Sequence, residues 1–185
     1  MLREWGYVAV FVCVFVEGIG IPAPGQTLLV AGALLASRGE LGIVPLLLTS
    51  IGAATLGSLA GWGIGRHGGR PLLLRFAPAD RLARVERIFQ QSGVALVALG
   101  RFVDGARQLS GLAAGAFGME RARFLFWNLA GAVLWSTFWG LGAYVMGRDF
   151  DVVARAYHEA RPVLIAIAAT TALAVLVWLV ARPRA

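Results

Sequence analysis

Residues 17–37 read EGIGIPAPGQTLLVAGALLAS, and this stretch decides the fold. Pro22 and Pro24 lack a backbone N–H, and Gly25 permits an unusual turn. The apolar segment that follows, residues 26–37, reaches about 18 Å as a helix, against a hydrocarbon core of about 30 Å. Such a helix crosses about half of a bilayer. The stretch therefore predicts a re-entrant hairpin, in which the chain enters the membrane, breaks and returns.

The composition is that of a membrane protein. Hydrophobic residues make up 58% of the 185 residues, the mean hydropathy is +0.73 and 15% are charged, against roughly a quarter in soluble domains. The net charge of +7 comes from seventeen basic residues, all arginine, most of which flank apolar runs. Arginine in short loops is an orientation signal in membrane proteins. We therefore expect no nucleic-acid partner, since no basic stripe is interleaved with aromatics.

Segment lengths predict the number of membrane spans. Residues 43–65, 124–147 and 162–181 reach the length of about 20 residues that a span requires. The first apolar helix, Trp5–Ile19, is shorter and carries Glu17 near its end. We predict an all-α polytopic membrane protein with about four full transmembrane helices and two inverted re-entrant helical hairpins.

The second hairpin is predicted over residues 94–117. An apolar run is followed by Arg101, Asp104, Gly105 and Arg107 and then by small residues. One straight helix would place two arginines and an aspartate in the middle of the membrane, which is energetically costly. A break at Asp104-Gly105 places these charges at a tip that protein surrounds.

The two hairpins belong to a weak internal repeat. A small-aromatic-x-x-Gly-Arg pattern at residues 61–66 recurs at 143–148, about 80 residues later. We predict a single membrane-embedded domain over residues 1–185, with repeats at about 17–66 and 94–148. Residues 162–181 add a C-terminal transmembrane helix.

The arginines predict the orientation. With both hairpins counted as non-crossing, eleven arginines lie on the inner side and four on the outer side. Both termini are then cytoplasmic, and the hairpins enter from opposite sides, as in many alternating-access transporters.

Residues 78–91 predict an amphipathic helix at the cytoplasmic face. Its apolar residues share one helical face and its arginines share another, namely Leu82, Val85, Ile88 and Phe89 against Arg81, Arg84 and Arg87. Such a helix lies at the interface and attracts anionic lipid headgroups. The alternative is a topology anchor without a ligand.

Arg101 and Arg107 are the candidate phosphate-binding residues. An arginine donates bidentate hydrogen bonds to phosphate and keeps its charge when partly buried. A break at Asp104-Gly105 lets both side chains reach one cavity. The alternative is an internal ion pair, in which Asp104 or Glu17 neutralises one arginine.

Glu17 is a candidate ion-coupling residue, because it lies where the first helix meets the broken segment. The alternative is a carboxylate that snorkels to the outer interface. Helices that begin near Gln26 and Ala106 would direct their positive dipole ends toward the same cavity.

Metal and cofactor sites are not predicted. Cys13 is the single cysteine, and His67 and His158 lie far apart in predicted loops. No histidine lies in a predicted span, so we expect no metal, no cofactor and no enzymatic activity such as that of a lipid phosphatase.

At these residues the sequence resembles the DedA family of integral membrane proteins, also called the SNARE-associated or VTT-domain family. The resemblance rests on an ordered set of motifs: residues 17–25, Gly61-Trp62-x-x-Gly65-Arg66, Gly100-Arg101-Phe102-x-x-Gly105-x-Arg107, Ala114-Gly115, Met119, Asn128 and Trp135. It implies two facing re-entrant hairpins and ion-coupled lipid transport in a bacterial inner (plasma) membrane.

The resemblance also assigns residues. It implies that Glu17 is the acidic residue of the first hairpin and that Arg101 and Arg107 are the essential pair. Gln26 stands where many members have an acid, and Asp104 stands where many have proline. Asp104 is therefore a second candidate for ion coupling, since Gln26 cannot titrate.

The leading hypothesis is a flippase for a phosphorylated lipid carrier such as undecaprenyl phosphate, coupled to the proton or sodium gradient. Gln26, Gln108 and Asn128 are expected to line its polar cavity. The alternatives are a phosphatidylethanolamine flippase, an ion-coupled transporter of a small soluble solute, an intramembrane enzyme and a structural protein. A homo-oligomer is compatible with each of them.

Overall fold

The computed structural model describes residues 2–74, 78–103 and 106–149. Over these ranges the chain is helical, with no strand, which confirms the all-α prediction for this part of the protein. The helices are α1 Leu2–Ile19, α2 Gly25–Ser37, α3 Ile43–Leu73, α4 Ala79–Leu99, α5 Ala106–Ala116, α6 Arg121–Ser136 and α7 Gly142–Arg148. A 3-10 turn, Gly100–Phe102, follows α4, and a π-helical segment, Thr137–Leu141, joins α6 to α7.

The first helical break lies where the prolines predict it. Helix α1 ends at Ile19 and α2 begins at Gly25, so Pro22 and Pro24 both lie in the non-helical link. The left-handed backbone of this link is at Gly20, with a φ of 120°. Gly20, rather than Gly25, therefore supplies the unusual turn. The second predicted break, Asp104-Gly105, lies outside the described residues.

Helix α4 corrects one predicted boundary. The sequence predicts an amphipathic helix over 78–91 that is separate from a hairpin arm over 94–100, but both belong to the continuous helix Ala79–Leu99. The region between them contains Gly93 and no proline, and one glycine costs a helix only about 1 kcal/mol. Phe89 is buried and Arg87 is exposed, which agrees with the amphipathic pattern at these two positions.

Glycines let α3 approach its neighbours closely. A Cβ on Gly57 would overlap the Phe15 carbonyl oxygen of α1, and a Cβ on Gly65 would overlap the Leu112 carbonyl oxygen of α5. On the opposite side of the second contact, a Cβ on Gly115 would overlap the backbone of α3. Small residues allow this backbone-to-backbone packing between membrane helices.

The helices pack reciprocally. Helix α3 packs against α5 in the second predicted hairpin region, and α7 packs against α2 in the first. Gly147 of α7 lies beside Ser37 of α2. In the predicted repeat, Gly147 corresponds to Gly65. Two repeats would produce this exchange of partners, although the repeat and its inversion stay predictions.

Two helical runs of the described part are long and apolar enough to cross a membrane, Ile43–Gly69 and Arg121–Arg148. Trp5–Ile19, Gly25–Ser37 and Gly93–Phe102 are shorter apolar helices. The described helices belong to one compact unit that ends at Arg148, and the predicted span 162–181 lies outside the described residues. The count of four full spans therefore stays a prediction.

The described region has an apolar exterior, and its interior holds polar side chains as well as apolar ones. Phe126, Leu48 and Phe138 are 66%, 64% and 59% exposed, and soluble proteins seldom expose so many large apolar side chains together. Leu29, Leu46 and Phe124 are fully buried. Several polar and charged side chains are buried as well: Glu17, Ser50, Ser58, Arg101, Arg107, Asn128 and Ser136. Buried charged groups beneath an apolar exterior fit a lipid environment.

Candidate functional site

Arg107 joins the two hairpin regions through Glu17. It is the second residue of α5, and its Nη2 donates to Glu17 Oε1 at 2.5 Å. Its Nη1 donates to Gln26 Oε1 at 2.9 Å. Glu17 lies near the end of α1 and Gln26 near the start of α2, so one guanidinium binds both helices of the first predicted hairpin region.

Trp135 covers the Arg107 guanidinium. The guanidinium carbon lies 5.2 Å from the centroid of the indole ring, within the range of a cation–π interaction. Trp135 is 1% exposed, and its Nε1–H has no hydrogen-bond partner among the described residues.

Gly25 leaves room for the ion pair. A Cβ on Gly25 would lie 2.5 Å from Glu17 Oε2 and 3.0 Å from the Val14 Cα. Any larger residue would therefore displace either the carboxylate or helix α1. The sequence assigns Gly25 to the hairpin break, and its closest contact is with Glu17.

Arg101 is held by α3 and α6. Its Nη2 donates to the Ala54 carbonyl oxygen at 3.2 Å, to Ser58 Oγ at 2.9 Å and to Asn128 Oδ1. Asn128 Nδ2 donates in turn to the Thr55 carbonyl oxygen at 3.1 Å, which fixes the orientation of the amide. Arg101 contacts no carboxylate among the described residues, and its Nε–H has no partner there.

Among the described residues, the two arginines carry more positive charge than the one carboxylate paired with them. Both guanidiniums are buried, and they lie close enough to repel each other. Within residues 2–74, 78–103 and 106–149, Glu17 is the carboxylate that pairs with this centre. Burying a charge without a counter-ion is costly.

The structure brings most of the predicted site residues together. Glu17, Gln26 and Arg107 form one hydrogen-bonded group, and Arg101 and Asn128 form another. Gln108 does not join them, because its half-buried side chain makes no hydrogen bond to a described residue. Asp104 and Gly105, which were predicted as an ion-coupling residue and a break, lie outside the described residues. The roles of all these residues in binding and coupling stay predictions.

The sequence reasoning missed two contributors to this site, Ser58 and the ring of Trp135. Trp135 follows Asn128 by seven residues, so the two side chains lie on the same face of α6. That spacing could have identified Trp135. Ser58 follows Gly57 in a run of small residues, and no pattern separates it from an ordinary packing serine.

Comparison with known proteins agrees with a membrane assignment. The VTT domain matches residues 22–146. An uncharacterized membrane protein of Synechocystis, slr0232, is 39% identical over 80% of this chain and 70% of its own length. The uncharacterized membrane protein Rv2637 of Mycobacterium tuberculosis is 38% identical over 70% of this chain and 64% of its own. Inner membrane protein YqjA of Escherichia coli is 31% identical over 77% of this chain and 68% of its own length. No solved structure matches this chain.

Proposed function

This chain belongs to the VTT-domain, or DedA, family of membrane proteins, and we propose that it is a flippase for a phosphorylated lipid carrier such as undecaprenyl phosphate. The observation that carries the proposal is Arg101, a buried guanidinium that contacts no carboxylate among the described residues. A phosphate would supply the missing negative charge and accept hydrogen bonds from it.

The geometry around Arg101 supports phosphate over a smaller anion. Arg101 Nε and Trp135 Nε1 are buried donors without partners among the described residues. A phosphate has several acceptor oxygens arranged around one atom, so it can accept from more than one such donor. Unsatisfied buried donors cost about 1–3 kcal/mol each, and that cost would be recovered on binding.

The surroundings of Arg101 support a lipid over a soluble solute. Phe102 follows it in the 3-10 turn, and the Phe102 ring contacts the Phe138 ring edge-on, with centroids 5.6 Å apart. Both rings are exposed on the apolar exterior, by 40% and 59%. A headgroup that passes this pair would leave its hydrocarbon chain in the surrounding lipid.

The ion pair between Glu17 and Arg107 supports coupling to a proton or sodium gradient. Protonation of Glu17 would remove its charge and release Arg107 toward the phosphate, and a sodium ion could neutralise the carboxylate in the same way. The switch is local, because it changes the partner of one guanidinium. Asp104 stands as the second candidate for this role.

We further propose that the protein resides in a bacterial inner membrane with both termini cytoplasmic and its hairpins inverted. The support is the excess of arginine on one predicted side. In this arrangement each hairpin would reach the arginine centre from a different leaflet. A homo-oligomer is compatible with these features, and no catalytic step is needed.

Reconstitution tests the proposal. Full-length protein in liposomes should move labelled undecaprenyl phosphate between leaflets, and Arg101→Gln and Arg107→Ala should each abolish most of that movement. Arg148→Gln, which changes an exposed arginine at the end of α7, is the matched control. Equal rates in Arg107→Ala and wild type would refute the flippase.

The same assay separates the alternatives. Faster movement of labelled phosphatidylethanolamine than of undecaprenyl phosphate would assign the phospholipid instead. Uptake of a soluble anion with no lipid movement would assign a solute transporter. Release of inorganic phosphate from the lipid would assign an enzyme.

A further inference from the structure

A cavity of about 220 Å³ lies between α4 and the loop that joins α5 to α6. It shares no residue with the arginine centre. Phe89 and Phe117, whose ring centroids are 5.5 Å apart, form an apolar wall together with Val94, and Gln90 and Arg123 contribute polar groups. The cavity therefore suits a ligand that has both a charged and an apolar part.

The cavity lies at the ends of both long apolar helices. Trp62, in the last part of the span Ile43–Gly69, donates its Nε1–H to the Met119 carbonyl oxygen at 3.2 Å. Met119 lines the cavity and lies two residues before the start of the span Arg121–Arg148. A point where one span ends and another begins is at the level of the lipid headgroups.

Arginines surround this end of the molecule. Arg66, Arg87, Arg121 and Arg123 are exposed there, whereas Glu86 and Glu120 are the neighbouring described carboxylates. Arg123 lines the cavity, and so does Gly118. A Cβ added to Gly118 would lie 3.4 Å from Arg66 Nη1. Two guanidiniums can therefore face one bound anion.

We propose that this cavity binds the phosphate group of an anionic membrane lipid, with Arg123 as the main donor and the Phe89–Phe117 wall against the adjoining alkyl part. The cavity of about 220 Å³ has room for a phosphate with a short linker, and the acyl chains stay in the bilayer. The site is independent of the proposed transport function.

Lipid titration tests this site. Full-length protein in detergent micelles is titrated with phosphatidylglycerol, and the bound fraction is measured by native mass spectrometry. Arg123→Gln should lower the affinity about fivefold, the upper end of what an exposed ion pair contributes. Arg121→Gln removes an equal charge two residues away, from a position that does not line the cavity, and should change the affinity less than twofold.

A second variant keeps every charge. Val94→Phe places a larger, aromatic side chain in the cavity and should also reduce phosphatidylglycerol binding. The melting temperature of this variant checks that it still folds. Equal losses in Arg123→Gln and Arg121→Gln, or undiminished binding in Val94→Phe, would overturn the proposal. Loss of this binding in Arg107→Gln alone would also overturn it, because the lipid would then occupy the arginine centre.

Competition distinguishes the two sources of phosphate. If the ligand is a lipid headgroup, millimolar inorganic phosphate should leave phosphatidylglycerol bound. If inorganic phosphate displaces the lipid from wild type but has no such effect on the residual binding of Arg123→Gln, the site binds phosphate itself. Either result supports a phosphate site at Arg123.

Discussion

Glu17 and Arg107 are separated by 90 residues in the chain and form a buried ion pair, with Oε1 and Nη2 2.5 Å apart. The pair connects the end of α1 to the start of α5 and so joins the two hairpin regions. Under the proposed coupling, protonation of Glu17 would release one guanidinium of the arginine centre.

The ion pair predicts the phenotype of Glu17→Gln. Glutamine keeps the shape of the side chain but carries no charge, so Arg107 would no longer respond to protons. The ratio of lipid transport rates with and without an imposed pH gradient should fall to about one.

Glu40→Gln is the control for that experiment, because Glu40 is an exposed carboxylate outside the site. It should keep the wild-type response to the gradient. Undiminished stimulation in Glu17→Gln would assign coupling to another residue, with Asp104 as the next one to substitute.

Asn128→Asp tests whether excess positive charge binds the phosphate. Asn128 Oδ1 accepts from Arg101, so an aspartate there would supply internally the negative charge that we expect from the substrate. Binding of undecaprenyl phosphate should fall about tenfold or more, the effect of losing one charged hydrogen bond. If Asn128→Asp binds the lipid as well as wild type, charge at Arg101 does not determine binding.

Gly25→Ala should disrupt the site through sterics alone. The added Cβ would lie 2.5 Å from Glu17 Oε2, so the ion pair must shift. We expect a loss of about 1–3 kcal/mol in unfolding free energy and a loss of gradient-driven transport. Gly52→Ala is the matched control, since a Cβ on Gly52 of α3 meets nothing within 4 Å.

Gly52→Ala should keep transport and leave stability unchanged or raise it by up to about 1 kcal/mol, because alanine favours helix. The measurement is the thermal midpoint in detergent alongside the flipping rate. A Gly25→Ala variant as stable and active as Gly52→Ala would show that the Gly25 contact is unimportant.

The α3–α5 contact predicts a larger effect for Gly115→Ala. Its Cβ would overlap the Trp62 carbonyl oxygen, a backbone atom that cannot rotate away. The expected cost is about 3 kcal/mol, near the upper end for overpacked sites. Gly63 lies beside Trp62 on α3, but a Cβ added there would meet nothing within 4 Å. Gly63→Ala should therefore melt at or above the wild-type temperature. Similar melting of both variants would contradict the close packing of α3 on α5.

Local chemistry made parts of the fold predictable. Pro22 and Pro24 lack backbone donors, and the helix breaks beside them, between Ile19 and Gly25. The apolar length of residues 43–65 and 124–147 likewise predicted the two helical runs that are long enough to span a membrane. Each of these features depends on residues that are near in sequence.

Long-range packing made the rest unpredictable. The sequence left open whether Glu17 or Asp104 neutralises an arginine, because the answer depends on how α5 approaches α1. That approach depends on backbone contacts such as Gly65 against Leu112, which no periodicity reveals. The continuity of α4 through Gly93 was missed for a related reason, since tertiary packing offsets the small helix cost of one glycine.

We propose that Arg101 and Arg107 together bind a lipid phosphate. A cryo-electron microscopy structure of the full-length protein with undecaprenyl phosphate tests it most directly. We predict headgroup density within hydrogen-bond distance of Arg101 and the Trp135 Nε1–H, with the Glu17–Arg107 pair opened. A bound lipid whose phosphate lies outside this centre, with Arg107 still paired to Glu17, would contradict the claim.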